Sequence, residues 1–290
     1  MVMQRVINFS GGKTSAFMTI KEYREGDIVL FCDTGREHPK TYKFINDFEA
    51  HEKIPVTRIR YMGRELSNIN RKVTSLQKAL SKVVIDKPQL NLELAEWADK
   101  YGAELARVKN IHPFELFLQE RGNKTLPNRM RRMCTETLKV HTARRFMVSI
   151  GHKNYENLIG FRFDEPKRVL GHKEKLKCVT TKFPLYEMGI TKLYIEGYWS
   201  QKPYNLEVPS ILGNCTLCFM KGKNAIIAIL REHPELADEW IADEEKNMKK
   251  GHTYMPEVSM RQLRDIAQNN LFKDYGLDHV SPAFDCACTT

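Results

Sequence analysis

An apolar, β-prone stretch at Arg5-Val-Ile-Asn-Phe9 runs straight into Ser10-Gly11-Gly12, and Thr14-Ser-Ala-Phe-Met-Thr-Ile20 then begins a helix. This succession of strand, glycine turn and helix constrains the chain more than any other feature, because it recurs at once. Asp27-Ile-Val-Leu-Phe-Cys32 is a second short apolar run, closed by Asp33-Thr34-Gly35. It is followed by Lys40-Thr-Tyr-Lys-Phe-Ile-Asn-Asp-Phe48, whose aromatic residues share one helix face, and by a third strand at Pro55-Val-Thr-Arg-Ile-Arg-Tyr61. Strands alternating with helices predict an α/β fold of doubly wound type: a parallel sheet with helices on both faces and a ligand site beyond the carboxyl ends of the strands.

From 66 to 117 the alternation gives way to helical text, notably Leu90-Asn-Leu-Glu-Leu-Ala-Glu-Trp-Ala-Asp-Lys-Tyr101, which reads as a helical insertion that caps or extends the site. The sheet resumes near Asn157-Leu-Ile-Gly-Phe161 and continues through Lys182-Phe-Pro-Leu185. The expected organisation is an α/β domain over 1–212 and a Cys-rich, mainly helical region over 213–290. At 290 residues the chain is long enough for a sizeable core. No apolar run approaches the roughly 20 residues that span a bilayer, and Met1 to Phe9 lacks the pattern of a signal peptide, so a cytoplasmic protein without a membrane partner is expected.

The first loop has the chemistry of an anion cradle. Adjacent glycines allow close backbone approach, the helix start offers unpaired N–H groups and a positive dipole end, and Lys13 adds mobile charge. The spacing is not that of a Walker loop. A plain glycine turn with Ser10 as helix cap is the other reading. A second cationic feature lies at 121–145, where eight Arg and Lys residues, among them Arg129, Arg131 and Arg132, face one acid, Glu136. The tract fits a polyanion, nucleic acid or several phosphates, or else a solvated basic surface.

Seven cysteines in a reducing compartment point to metal ligands or catalytic groups rather than disulfides. Cys215-x-x-Cys218 can chelate, and zinc and iron–sulfur clusters both want four thiolates. Cys134, beside the basic tract that favours its thiolate, and Cys286, with Cys288 as the alternative, are the remaining candidates. Cys32 and Cys178 read as ordinary thiols.

Ser10-Gly-Gly-Lys-Thr-Ser15 resembles the PP-loop of the ATP pyrophosphatase and phosphoadenosine phosphosulfate reductase group, here closest to its phage and bacterial members related to DNA phosphorothioation proteins. Asp33-Thr-Gly-Arg-Glu-His-Pro39, Leu126 to Lys139, Gly160-Phe-Arg-Phe-Asp-Glu-Pro-Lys-Arg168, Phe183-Pro-Leu-Tyr186 and Gly213-Asn-Cys-Thr-Leu-Cys-Phe-Met-Lys221 are similar to that group in order and spacing. The resemblance implies an adenine nucleotide alpha hydrolase-like fold of the HUP type. It implies that Ser10, Gly11, Gly12, Lys13, Thr14 and Ser15 hold nucleotide phosphates, and that Asp33, Thr34 and Gly35 lie near the ribose or a bound Mg²⁺. Arg162, Asp164, Glu165 and Arg168 would form a phosphate or metal site, with Lys13, Asp33, Arg162 and Asp164 as the catalytic set, and Arg129 and Arg132 as substrate clamps.

The expected cofactors are ATP, Mg²⁺ and, by the same resemblance, an iron–sulfur cluster, 4Fe–4S in preference to zinc. The implied reaction is adenylation of a substrate followed by sulfur transfer. The basic tract points to nucleic acid as acceptor, DNA or tRNA, and a cysteine desulfurase is a candidate sulfur donor. Two departures stand out: Thr14 replaces the acid of the usual Ser-Gly-Gly-x-Asp-Ser loop, and no Glu-Cys-Gly-x-His segment of the sulfonucleotide reductases is present. A phosphoadenosine phosphosulfate reductase, or a nucleic-acid-binding protein with a structural four-cysteine zinc site, are the alternative functions.

Overall fold

The computed structural model describes residues 3–81, 88–174, 176–247 and 252–269. Five short strands, β1 (Gln4–Asn8), β2 (Ile28–Asp33), β3 (Thr57–Arg60), β4 (Tyr155–Leu158) and β5 (Val179–Lys182), form one parallel sheet in the order β3-β2-β1-β4-β5. The order reverses between β1 and β4, where Ile7 pairs with Leu158. In open parallel sheets such a reversal leaves a crevice beyond the strand ends. The expected α/β class with a parallel sheet is therefore observed.

Strand alternation sends Ile7, Val29, Phe31 and Leu158 to one face, where they pack with residues of α1 (Lys13–Glu22) and α2 (Pro39–Glu52), among them Phe17, Phe44 and Phe48. The other face buries Val6, Leu30, Tyr155 and Val179 with Met147. Both faces being apolar is what a parallel sheet requires.

The stretch expected as a helical insertion folds as α3 (Arg64–Ser81), α4 (Pro88–Val108) and α5 (Pro113–Gln119). α3 and α4 form a hairpin tied by Lys72–Glu93 and Lys100–Glu65 ion pairs at 2.6 and 3.1 Å; only Val108 of α4 is buried. A π-helix over Thr135–His141 leads into α6 (Thr142–Ser149), which carries Met147. Short helices α7 (Pro166–Leu170) and α8 (Pro184–Glu187) follow β4 and β5, and α9 (Lys192–Ser200) packs beside α1 through Phe17, Tyr194 and Tyr198.

The chain then forms α10 (Lys223–Glu232), α11 (Asp238–Asn247) and α12 (Met260–Gln268). One continuous cluster of buried apolar residues runs from Ile7 to Ala267, across the expected boundary at 212. Arg36, just beyond β2, is the main rivet: its guanidinium pairs with Glu239 and, at 2.7 Å, with Asp243, and lies over the rings of Phe114 and Trp240. Glu244 accepts hydrogen bonds from the amides of Tyr254 and Met260, which fixes α12 against α11. No helix among the described residues is long and apolar enough to cross a membrane.

Candidate active site

β1 ends at Asn8, and the turn that follows depends on Gly11, whose φ is 76°. A Cβ there would approach Thr41 Cγ2 to 2.5 Å, so a larger residue meets both a left-handed backbone and a steric block. Gly12 is the N-cap of α1 and no side chain caps the helix, so its first amides face the crevice unclaimed by a capping group. The hydroxyl of Ser15 accepts from the Ser10 amide at 3.0 Å and donates to the Gly12 carbonyl at 3.0 Å, bracing the loop from within. The Trp199 indole donates to the Lys13 carbonyl at 2.9 Å, holding the first turn of α1 against α9. Ser15 thus braces the loop from within, and Ser10, Gly12, Lys13, Thr14 and Ser15 all line the cavity beyond it.

Gly160 follows β4 and packs within ordinary contact distance of Ser15 Cα and Thr14 Cγ2. This close approach delivers Arg162 across the crevice: its guanidinium donates to Thr14 Oγ1 at 3.3 Å and to Asp164 Oδ1 at 3.0 Å. Buried Glu165 pairs with both Arg162 and Arg168, and Arg168 also lies 4.1 Å over the Phe161 ring. The two arginines are held in place before any ligand arrives, and a fixed array of donors is what anion stabilisation needs.

Two cavities meet at this point and share Ser10 and Arg168 as a common wall. The loop cavity, about 330 Å³, is lined by Lys13, Arg162, Arg168, Lys192 and Lys221 against the acids Glu165 and Glu196. Burial lowers the Lys13 pKa below its ordinary value, with Glu196 acting in the opposite direction. The second cavity, about 440 Å³, lies on the α6 face of the sheet, where Asn8, Cys32, Asn157 and Thr181 line it together with Arg132, Lys139 and His172. Burial pushes the Cys32 thiol up to about 12, so it stays protonated there.

The turn after β2 is arranged differently. Asp33 accepts from the Gly35 amide and the Tyr42 hydroxyl, at 2.8 and 2.7 Å. Thr34 is buried, donates to Glu37 at 2.7 Å and lies 3.5 Å from Cys215 Sγ. Asp33, Thr34 and Gly35, expected near the ribose or a bound Mg²⁺, line neither of the two large cavities. Both bonds to Asp33 fall on Oδ1, and Thr34 is taken up by Glu37, whose pKa is raised by burial.

Thr34 instead opens onto a third, small cavity lined by Cys134, Cys215 and Cys218. Residues 215–218 are zipped onto the β2 turn by a bridge between Glu37 and Cys215 and by the Thr216 amide donating to the Arg36 carbonyl at 3.0 Å. The π-helix supplies the opposite wall: Cys134, Thr135, Leu138 and Lys139 all line the cavity. The wider π turn places residues four and five apart on one side, as π segments at functional sites do. Three thiols in one cavity suit a thiolate-binding metal, yet among the described residues no three His, Cys, Asp or Glu side chains are grouped closely enough to hold one. Cys286 and Cys288 lie outside the described residues.

Of the basic tract, Arg132 lines the sheet-face cavity, whereas Arg129 and Arg131 are exposed beside Met130, on a turn braced by Asn128. Sequence reasoning missed Lys139 and Lys221 as site residues. Lys139 lines both the sheet-face and the cysteine cavities. Lys221 is buried, donates to the Thr216 carbonyl at 2.8 Å and lines the loop cavity, one 3₁₀ turn after Cys218. Lys139 closes the 126–139 motif and Lys221 the 213–221 motif.

No family model and no solved structure matches the chain. The chain is similar to an uncharacterized nin region protein, ORF290, of Escherichia phage lambda, at 29% identity over 232 residues, covering 77% of this chain and 68% of that protein.

Proposed function

We propose that the protein is an ATP pyrophosphatase-type enzyme of the adenine nucleotide alpha hydrolase-like, HUP-type fold, which adenylates its substrate for sulfur transfer to nucleic acid. The observation that supports this reading best is the pair of cavities at the reversal of strand order. The phosphates fit the cation-lined loop cavity, and the nucleoside fits the larger cavity across Ser10 and Arg168. An acceptor oxygen attacks the α-phosphorus, the bond from that phosphorus to the bridging oxygen breaks, and pyrophosphate leaves with its electron pair. A hydrosulfide-level sulfur then attacks the activated centre and AMP departs. Lys13, Arg162 and the α1 amides stabilise charge on the leaving pyrophosphate; Arg162 and Thr14 hold the two sides of the crevice in register.

Mg²⁺ bound with the nucleotide supplies further charge neutralisation. The acids lining the loop cavity are Glu165, already paired with two arginines, and Glu196, so the ion fits as one carried chiefly by the phosphates. Cys134, Cys215, Cys218 and one of Cys286 or Cys288 would hold an iron–sulfur cluster, with zinc as the alternative; a bound cluster supplies redox or sulfur-handling capacity beside the nucleotide. Incubation of anaerobically purified protein with ATP, Mg²⁺ and either DNA or tRNA tests the reading. Release of AMP and pyrophosphate supports it. ADP and phosphate, or no turnover together with one tightly held zinc, would discard it.

A further inference from the structure

A parallel sheet covered on both faces is apolar along its inner strands. On the α6 face this holds where Val6, Leu30, Tyr155 and Val179 are buried, and fails two residues further along each strand. There β1, β2, β4 and β5 present Asn8, Cys32, Asn157 and Thr181, all of which line the cavity of about 440 Å³. Two of the four bond the elements above them. The Cys32 thiol donates to the Lys139 carbonyl at 3.9 Å, and the Thr181 amide and hydroxyl donate to Glu174 at 3.0 and 2.7 Å. Asn8 and Asn157 bond each other instead. Asn8 Nδ2 donates to Asn157 Oδ1 at 2.5 Å and to the Leu158 carbonyl at 3.0 Å. A carbonyl only accepts, so the Leu158 contact fixes which way the Asn8 amide points, and Asn8 fixes Asn157 in turn. Asn8 Oδ1 and Asn157 Nδ2 then have no partner among the described residues: one acceptor and one donor, on two amides joined by a hydrogen bond in the cavity wall.

We infer that this amide pair reads the edge of a purine base and selects a 6-aminopurine over a 6-oxopurine, Asn8 Oδ1 accepting from the 6-amino group and Asn157 Nδ2 donating to the ring nitrogen beside it. The size and lining of the cavity fit a flat ring system. Phe31, Tyr155, Val140, Ala143 and Leu176 supply apolar wall, and a pocket of this kind fixes its ligand through a few placed polar groups. Asparagine pairs with adenine through the same combination of one acceptor and one donor. Selectivity comes from the direction of the chain. Asn8 runs through Phe9 into Ser10, the wall shared with the loop cavity, so a base whose sugar and phosphates continue past Ser10 enters from one side only. A 6-oxopurine entering that way brings an acceptor to Asn8 Oδ1 and a donor to Asn157 Nδ2. Each meets its like, and the bonds go unmade at a cost in affinity.

The inference deepens the proposed function by naming what reads the base, and rests on that reading for the direction in which the nucleotide lies. The test is isothermal titration calorimetry of the full chain with ATP, inosine triphosphate and purine riboside triphosphate, on wild type, Asn157→Asp and Asn8→Ala. AMP release from ATP is measured on the same samples. Wild type should bind ATP about 10- to 100-fold more tightly than inosine triphosphate, and more tightly than purine riboside triphosphate, which lacks the amine. Asn157→Asp keeps an oxygen for Asn8 Nδ2 and changes only the outward donor into an acceptor. Its charge weakens all three nucleotides alike, so the ratio of ATP to inosine triphosphate affinity is the readout, and it should fall to about one or invert. Asn8→Ala, which also removes the Leu158 bond, should bind ATP and purine riboside triphosphate equally. Equal binding of ATP and inosine triphosphate by wild type, an Asn157→Asp protein that keeps the wild-type ratio, or no binding of any of the three overturns the inference. A wild-type preference that collapses in Asn157→Asp, in a protein that releases no AMP, removes the adenylation reading and leaves the amide pair standing. AMP release with equal binding of the nucleotides does the reverse.

Discussion

At the end of β1 a glycine with φ 76° turns the chain into a helix whose first amides look into a roomy, cation-lined cavity; at the end of β2 another glycine with φ 76° turns it towards a small cavity lined by thiols. The same local geometry thus serves two surroundings. After β1 the turn leaves its donors outward, because Ser15 does the internal bonding and Thr14 and Lys13 are released to the crevice. After β2 the turn's residues bond their neighbours: Asp33 bonds Gly35 and Tyr42, Thr34 bonds Glu37, and the 215–218 segment bridges to Glu37. The first site is organised for a ligand that arrives from solvent. The second brings Cys134, Cys215 and Cys218 to one small cavity beneath the β2 turn.

Lys13→Ala should produce the largest effect, a loss of about 10²–10³ in the rate of AMP formation with the fold unchanged by circular dichroism. Wild-type turnover in that variant would erase the distinction between the two turns. Because burial lowers the Lys13 pKa below 10.5, the cation is present at low pH and lost as pH rises through that lowered value. Pyrophosphate affinity should accordingly fall before the ordinary lysine range is reached. A flat profile through that range would place the charge on other groups.

On the cysteine side, Cys134→Ser should abolish stoichiometric metal, read by elemental analysis and visible absorption after anaerobic purification, while pyrophosphate binding persists. Unchanged metal content would remove the π-helix from the ligand set. Gly11→Ala tests the first turn as a backbone device: positive φ and the contact with Thr41 should together cost about 1–3 kcal/mol, seen as a lower urea midpoint. The smallest expected effect belongs to exposed Arg129 and Arg131. Replacing both with alanine should flatten the salt dependence of nucleic-acid binding by about 0.7–0.9 per arginine in the logarithmic slope, with little change in ATP cleavage. An unaltered slope would assign the tip to bare surface.

Much of this was legible in the sequence because its causes are local. The strand, glycine pair and helix at 5–20 specify the first turn by chain geometry alone, and Cys215-x-x-Cys218 carries its own spacing. The β4 end was legible as charge mix, though not that Glu165 joins Arg162 to Arg168. What escaped depends on which distant segments meet. No periodicity announces a π-helix, whose extra residue per turn survives only through its packing. Thr34 reads as a loop hydroxyl until the 215–218 segment is folded onto it. Arg132 reads like Arg129 and Arg131, yet it alone of the three lines a cavity, because the helix start draws it inward. The boundary expected at 212 rested on cysteine content, whereas the core continues through it.

The Glu37–Cys215 bridge and the Arg36 rivet have a consequence for how such a chain can be cut or exchanged. Severed before 213, the α/β part would expose the Arg36 carbonyl, strip its guanidinium of both carboxylates and uncover Phe114. The remaining fragment would carry α10 to α12 with Trp240 and Tyr254 facing water. Recombination between related chains should therefore succeed where the crossover leaves 33–37 and 215–243 from the same parent, and fail where it separates them.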